Sequence, residues 1–405
     1  MGKLTVLLCL AWIAIGFSEL APVVFVPGYL GNPLLVTIEA EEFIPVSCQG
    51  LGVPIGVAFL AMYNATILAK NPQCVYELLE QDFIATSRPA FRNKPGIKVS
   101  VRDFGGFSGI EVIYHSFKTQ LTSWGYEVYK NAFGAPLDYR FMSAEGLSYS
   151  GFTEDLQVLV EKAYRRNNDR RVVLIGHSNG GPTLYSFLSS MPVAWKTKYI
   201  SSMVGLSGNF LGQMNCIKQF VIPSAESEMM SSWEAQYMSL PWGEYTDVSS
   251  IPIVMTNTQS GSPPNNYTST VPDISALFST IDRADWTAKL ISASAAMNRS
   301  VPPGVDTFCF YGSNLSTSFS FSFAGSVQQQ GDVIVGHMEG DGNQDIVDQH
   351  FCERVWGAAS TTTSTSTTNT HFKTKAQAFP NVHHMQMYSD DAVLAALFDV
   401  LQHSQ

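Results

Sequence analysis

One serine of the sequence lies in a setting typical of an enzyme nucleophile. Residues 172–181 read VVLIGHSNGG, so Ser178 occupies a G-x-S-x-G motif directly after an apolar, β-branched run. In this motif the serine lies on a sharp strand-to-helix turn, which closes only if its neighbours at −2 and +2 are small. Gly176 and Gly180 meet that requirement, and the following helix directs free N–H groups toward the site. The motif predicts that Ser178 is the nucleophile of an acyl-transfer reaction.

A serine nucleophile needs a base and an acid that orients the base, and with this motif both follow the serine along the chain. The turn EGDGN at 339–343 comes after the apolar run 333–335, which is where such an acid is expected. Residue types and spacing alone leave several pairings open. The candidate acids are Asp332, Asp341, Asp345 and Asp348, and the candidate bases are His337, His350, His371, His383 and His384.

The apolar runs around the motif predict alternating strands and helices. Residues 22–27 (PVVFVP) and 171–175 read as buried strands, whereas 154–166 and 184–188 have helical spacing. Such an alternation favours a mostly parallel sheet that is covered on both faces. Together with the nucleophile motif it predicts one elaborated α/β-hydrolase domain, residues 19–405, with an insertion at 39–80 and an irregular cap at 215–300.

Composition narrows the class of function. Only 14% of the 405 residues are charged, the formal net charge is −10, and lysine and arginine do not cluster. Nucleic acid is therefore not an expected partner. The sequence contains neither a C-x-x-C pair nor an aspartate-rich calcium loop, so we expect no metal and no cofactor.

The first 18 residues predict a signal peptide. Lys3 precedes an apolar stretch, residues 4–17, that is too short to span a bilayer, and Ser18 suits cleavage. Export predicts disulfides, and because Cys9 lies in the signal, an odd number of cysteines remains. A lysosomal or extracellular location is expected. Four glycosylation sequons agree with it, at Asn64, Asn266, Asn298 and Asn314.

Short motifs recur in a fixed order along almost the whole mature chain. They are VFVPGYLGN at 24–32, PGI at 95–97, APLDYR at 135–140, IGHSNG at 175–180, AWK at 194–196, PGV at 303–305, CFYG at 309–312, GDG at 340–342 and HMQM at 384–387. In order and spacing this set resembles the lecithin:cholesterol acyltransferase and lysosomal phospholipase A2 (group XV type) family.

The resemblance assigns roles to individual residues. It implies that Ser178 is the nucleophile, Asp341 the orienting acid and His384 the base, with His383 as the alternative if the match shifts by one residue. Backbone N–H groups of Tyr29 and Asn179 would form the oxyanion hole. The implied disulfides are Cys48–Cys74 and Cys309–Cys352, which leaves Cys216 free.

The resemblance also implies an activity. The expected reaction transfers a fatty-acyl group from a phospholipid to the serine and then to water or a lipid alcohol. The expected partners are phospholipid membranes or lipoprotein surfaces, and a monomer is expected. A sterol O-acyltransferase and a non-catalytic lipid-binding protein remain alternatives.

The insertion at 39–80 looks like the membrane-binding part of the family. Phe59, Leu60, Met62 and Tyr63 are its candidate lipid contacts, although the same side chains could instead pack on the core. The chain departs from the family at 205–212 (GLSGNFLG), which has no tryptophan, and at 343–344, where Asn-Gln stands for Thr-Val. These departures leave the choice of substrate open.

Overall fold

The computed structural model describes residues 20–61, 64–84, 90–141, 144–210, 253–257, 265–268, 271–280, 301–323, 334–357 and 372–404. The strands are β1 (Val23–Val26), β2 (Leu34–Ile38), β3 (Phe59–Leu60), β4 (Gln81–Ile84), β5 (Ala90–Asn93), β6 (Ile97–Val101), β7 (Ala132–Gly134), β8 (Val172–His177), β9 (Ile200–Leu206), β10 (Ile253–Asn257), β11 (Asn265–Thr268), β12 (Asp306–Ser313), β13 (Leu315–Phe323), β14 (Ile334–Gly340) and β15 (Thr374–Pro380). The described α-helices are Ala65–Lys70, Pro72–Leu79, Glu111–Ser123, Ala144–Tyr149, Phe152–Arg166, Gly180–Ser190, Val193–Tyr199, Val271–Thr280, Ile346–Gln349 and Asp391–His403.

The central sheet has six strands in the order β15-β12-β9-β8-β1-β7. Each neighbouring pair in it is parallel. Every residue of β1 and of β8 is buried, as expected for strands covered on both faces. The predicted mostly parallel α/β architecture is therefore confirmed.

The two faces of the sheet bury separate apolar clusters, because successive strand residues point to opposite faces. Val24 and Leu174 join one cluster, which includes the helices Phe152–Arg166 and Gly180–Ser190. Phe25 and Ile175 join the other, which includes the helix Asp391–His403. This double covering fixes the strands, so the loops at their carboxyl ends start from rigid positions.

A second sheet has the order β11-β10-β13-β14 and joins part of the predicted cap to the main domain. Within 215–300 the described residues form β10, β11 and the helix Val271–Thr280, so these parts are regular. The rest of that range lies outside the described residues, as do the predicted signal peptide, Cys216, Met62, Tyr63, His371 and Asn298. None of the described helices is both long and apolar enough to cross a membrane.

The insertion is built on a three-stranded antiparallel sheet. β2 pairs with β3 on one side and with β6 on the other. The disulfide Cys48–Cys74 closes the segment, with its Cα atoms 4.7 Å apart. Its sulfur atoms are buried in the same apolar cluster as β2, so the insertion is anchored to the core.

Candidate active site

Ser178 lies where β8 turns into the helix Gly180–Ser190. Its φ angle is +53°, a left-handed conformation that is strained for a residue with a side chain. The strain is maintained by the surroundings, because the Ser178 N–H donates to the Leu206 carbonyl oxygen at 2.9 Å. The turn therefore presents the serine at the carboxyl edge of the sheet, in partial contact with solvent.

The glycines of the motif are required by close backbone approaches. A Cβ atom on Gly176 would lie 2.5 Å from the Gly180 carbonyl oxygen. One on Gly180 would lie 2.3 Å from the Val26 carbonyl oxygen, and one on Gly28 would lie 2.8 Å from the Ser178 Cβ. The loop after β1 consequently packs directly against Ser178.

Asp341 and His384 form a buried pair. Asp341 follows β14 and His384 follows β15, and the Asp341 Oδ2 atom lies 2.8 Å from the His384 Nδ1 atom. The His384 backbone N–H also donates to the Asp341 carbonyl oxygen at 2.9 Å. Their exposed fractions are 0% and 2%. A side-chain and a backbone hydrogen bond with Asp341 thus both fix the position of the His384 imidazole, in a geometry suited to orienting a general base.

The Asp341 carboxylate receives further hydrogen bonds. Its Oδ1 atom accepts from the N–H groups of Asn343 at 3.0 Å and Gln344 at 2.7 Å, and its Oδ2 atom accepts from Gln349 Nε2 at 3.1 Å. Burial alone would raise the pKa of Asp341, but the charge and hydrogen bond of His384 and the backbone hydrogen bonds from Gln344 and Asn343 outweigh it and lower the pKa below the usual 3.8. The carboxylate is ionised at neutral pH.

Other candidates do not join this pair. His383 is exposed, and its Nδ1 accepts the Met385 N–H at 3.3 Å as the cap of a short helical turn. His337 is exposed on β14, and the ring of His350 contacts Arg354. Asp345 is buried. Asp332 lies outside the described residues, and of Asp348 only the backbone position in a short helix is described.

The loop predicted to supply an oxyanion donor is a tight turn. The Gly31 N–H donates to the Gly28 carbonyl oxygen at 2.9 Å, and Leu30 has a φ angle of +56°. The Tyr29 ring packs edge-on against Tyr139, with centroids 5.2 Å apart. Asn179, the other predicted donor, is buried at the start of the helix after Ser178. Asn179 thus follows Ser178 directly in the chain, and Tyr29 follows Gly28, the residue whose backbone packs close to Ser178.

Sequence reasoning missed three residues around the pair: Gln349, Tyr114 and His177. Gln349 contacts the Asp341 carboxylate, and His177 contacts the His384 carbonyl oxygen through Nε2 at 3.0 Å. His177 belongs to the nucleophile motif, so its position was a usable signal. Tyr114 lies on the buried face of a helix, where the pattern predicts only core packing.

Both disulfides implied by the resemblance are present. Cys309–Cys352 has Cα atoms 6.4 Å apart and connects β12 to the helical turn Cys352–Gly357 that follows Asp341 in the chain.

Among the residues that the structure describes, no three histidine, cysteine, aspartate or glutamate side chains are grouped so that they could hold a metal ion.

The described part of the insertion exposes apolar side chains besides the predicted ones, of which Met62 and Tyr63 lie outside the described residues. Phe59 and Leu60 are half-buried, because they form β3 and pair with β2. Among the described side chains of this segment, the large apolar ones that are exposed are Val46 at 80%, Ile55 at 43% and Val57 at 61%.

Two of the predicted glycosylation sites have described side chains. Asn64 caps a helix, accepting the Ile67 N–H at 3.1 Å. Asn314 is exposed, and its Nδ2 donates to Asn381 Oδ1 at 2.8 Å. Asn266 lies on β11, for which the structure describes the backbone.

Comparisons with known proteins agree with the motifs. The family model described as lecithin:cholesterol acyltransferase matches residues 79–238. A lysosomal phospholipase A and acyltransferase of Bos taurus is 26% identical over 99% of this chain and 96% of its own, and the Homo sapiens protein of that name is 25% identical over 98% and 94%. A phosphatidylcholine-sterol acyltransferase of Gallus gallus is 24% identical over 82% of this chain and 81% of its own.

A likeness in fold extends to a solved structure. The crystal structure of the Tle4-Tli4 complex contains a chain with a TM-score of 0.50 and 12% identity, covering 95% of this chain and 99% of that one. At this identity the match concerns the fold alone. Along nearly its whole length the chain thus resembles the lecithin:cholesterol acyltransferase and lysosomal phospholipase A family, and its parallel sheet and serine turn agree with that resemblance.

Proposed function

We propose that the protein is a serine-dependent lipid acyl hydrolase and acyltransferase that cleaves fatty-acyl esters of phospholipids. The observation that supports this most directly is the buried pair of Asp341 and His384, 2.8 Å apart at the sheet edge that carries Ser178. Relatives that match nearly the whole chain are lysosomal phospholipases A and acyltransferases. The sterol O-acyltransferase alternative is not favoured, because the sterol enzyme matches a smaller share of the chain.

The first half-reaction forms an acyl-enzyme. His384 Nε2 takes the hydroxyl proton of Ser178 as Ser178 Oγ attacks the ester carbonyl carbon. The resulting oxyanion accepts hydrogen bonds from the N–H groups of Tyr29 and Asn179, each stabilising the transition state by about 3 kcal/mol. The ester C–O bond then breaks, and His384 returns the proton to the leaving alkoxide of the lysophospholipid.

The second half-reaction repeats these steps with a different nucleophile. Water or a lipid alcohol attacks the acyl carbon and gives its proton to His384, the acyl C–O bond to Ser178 breaks, and His384 returns the proton to Ser178 Oγ. The products are a fatty acid or an acylated alcohol. Throughout, the ionised Asp341 keeps a hydrogen on Nδ1 of His384, so that Nε2 is the atom that accepts.

Access to a membrane lipid requires a docking surface. The exposed Val46, Ile55 and Val57 belong to the disulfide-clamped insertion, and burial of such side chains in a lipid interface is favourable. Phe59 and Leu60, which are half-buried in β3, belong to the same insertion. The two disulfides fit a chain that folds in the oxidising lumen of the secretory pathway, on the route to a lysosomal or extracellular location.

The test uses the full secreted protein with phosphatidylcholine liposomes and, separately, a soluble short-chain ester. Wild-type protein should release fatty acid from both, react with a fluorophosphonate at Ser178 and acylate an added short-chain ceramide. Ser178→Ala should fold and lose all three activities. Retained turnover by Ser178→Ala would refute the mechanism, and absence of lipid turnover by the wild type would favour a lipid-binding protein. Addition of cholesterol as acceptor tests the sterol alternative.

A further inference from the structure

A chain of three buried hydrogen bonds runs beneath the proposed site. The Gly28 N–H donates to the Tyr114 hydroxyl oxygen at 2.8 Å. The Tyr114 hydroxyl lies 2.9 Å from His177 Nδ1, and His177 Nε2 lies 3.0 Å from the His384 carbonyl oxygen. Tyr114 and His177 are each 1% exposed, so water does not compete for these bonds.

The donor and acceptor of each hydrogen bond follow from the two groups at the ends of this chain of bonds. The Gly28 N–H can only donate and the His384 carbonyl can only accept, so His177 carries its hydrogen on Nε2. Nδ1 of the neutral ring then accepts the hydroxyl hydrogen of Tyr114. Burial first, and the charge of His384 second, lower the pKa of His177 to about 3. The ring is therefore neutral at physiological pH, and one arrangement satisfies every group in the chain.

These bonds join three separate loops of the site. Gly28 precedes Tyr29 in the loop after β1, and His177 precedes Ser178 at the end of β8. His384 contributes its carbonyl from the loop after β15. Tyr388, from that same loop, packs edge-on against Tyr114 and His177, with ring centroids 4.7 Å and 5.0 Å away.

We propose that Tyr114 and His177 are positioning residues that hold the oxyanion loop and the base loop in register with the nucleophile. This inference rests on the proposed function, because it concerns the same site. Neither side chain needs to touch substrate. Its effect arises because a displacement of about 1 Å between reacting groups can lower a rate about 100-fold.

The first test is Tyr114→Phe, which removes the central hydroxyl and preserves the ring. The matched control is Tyr126→Phe, because the Tyr126 hydroxyl is also buried in the same apolar cluster and donates to the Ala21 carbonyl oxygen at 2.8 Å, before β1 rather than after it. Both variants should lower the melting temperature by a similar amount. On the soluble ester, Tyr114→Phe should lower kcat about 10- to 100-fold with KM changed less than about threefold, and Tyr126→Phe should keep kcat within about twofold.

The second test compares two replacements of His177. In His177→Gln the side-chain amide can still donate to the His384 carbonyl, whereas His177→Leu has a similar volume and no donor. We expect His177→Gln to retain about tenfold more kcat than His177→Leu when both are measured on folded protein. A purely structural role would give the two variants equal activity per folded molecule.

Ser178→Ala, assayed in parallel, distinguishes a failure of the proposed function from a failure of the positioning role. If Ser178→Ala keeps its activity, the proposed function itself fails. If Ser178→Ala is inactive but folded Tyr114→Phe matches Tyr126→Phe in kcat, the positioning role alone is overturned. Should Tyr114→Phe not fold, equal kcat values for His177→Gln and His177→Leu overturn it instead.

Discussion

Two regions of the molecule differ in burial and polarity: the edge of the central sheet that holds the proposed active site, here called the catalytic edge, and the disulfide-clamped insertion proposed to bind lipid. At that edge Asp341, His177 and His384 are buried and joined by hydrogen bonds of 2.8 and 3.0 Å. In the insertion, Val46 and Val57 expose 80% and 61% of their surface. Chemistry requires fixed distances between polar atoms, whereas docking to lipid requires only apolar area at the surface. One region should therefore be intolerant of single-atom changes, and the other should respond to lost area.

The two regions also differ in how far apart their parts lie in the chain. The catalytic edge assembles loops from Gly28 to His384, which only the central sheet brings together. The insertion is closed locally by Cys48–Cys74, at a sequence separation of 26. Damage to the insertion should accordingly leave the catalytic edge intact.

The largest expected effect separates two neighbouring histidines at the catalytic edge. His384→Ala should lower kcat on the soluble ester by at least about 10⁴-fold, because Ser178 loses its base. His383→Ala should stay within about threefold, since this ring is exposed and only caps a helical turn. Steady-state kinetics on both variants measures this. If His383→Ala were the inactive variant, the Asp341–His384 pair would not be the catalytic pair.

The next effect concerns the insertion. Ile55→Ser with Val57→Ser should weaken binding to phosphatidylcholine liposomes about 100-fold, because two apolar side chains no longer enter the lipid, and should leave soluble-ester kcat unchanged. Liposome sedimentation and the two assays measure it. Val112→Ser with Val158→Ser is the control, because these valines are also exposed, at 71% and 63%, but lie on helices outside the insertion.

Equal losses from the two double variants would show that the insertion is not the docking surface. Phe59→Ser with Leu60→Ser is expected to behave differently from both. These residues form β3 against β2, so their replacement should lower the melting temperature as well as liposome activity.

A smaller effect distinguishes the two disulfides. Removing Cys48–Cys74 or Cys309–Cys352 should cost about 3.5 or about 4 kcal/mol in the chain-entropy model for their separations. Stability losses measured by denaturant unfolding should thus be similar. Activity should differ, because Cys352 follows the Asp341 segment and Cys309 lies on β12: kcat on the soluble ester should fall further for Cys309→Ala with Cys352→Ala. A larger fall for Cys48→Ala with Cys74→Ala would contradict this assignment.

The smallest effect is a pH dependence of stability. The pKa of Asp341 is lowered in the folded protein, so its ionised form stabilises the fold above the usual 3.8, and this contribution is lost as pH falls below that value. Asp341→Asn should therefore lower the melting temperature at neutral pH, with the difference from wild type shrinking below about pH 4. A constant difference at every pH would contradict a stabilising carboxylate.

The buried strands, the amphipathic helix and the serine turn could be predicted, because each depends on residues that are close together in the sequence. The strands around Val24 and Leu174 are continuous apolar runs, and the helix Phe152–Arg166 buries Leu156 and Val160 as its spacing indicates. Ser178 was identifiable because the turn requires glycines at fixed offsets.

Contacts between distant residues were beyond that reasoning. Asp341 and His384 are separated by 43 positions, so residue types alone left several acids and bases open, and the family resemblance was needed to pair them. The link from Tyr114 to His177 has no local pattern. Phe59 and Leu60 are still predicted to contact lipid, and their apolar character alone does not predict that they pair with β2 and are half-buried.

The order of the strands along the chain has a consequence for biosynthesis. Ser178 emerges from the ribosome far ahead of His384, which follows β15, the strand that closes the edge of the central sheet beside β12. Until β15 docks, the nascent chain carries Ser178 without the base that we propose for it. If the proposed mechanism holds, the unfinished polypeptide is inert toward any lipid it meets during translation, and activity begins only after β15 and His384 have been made.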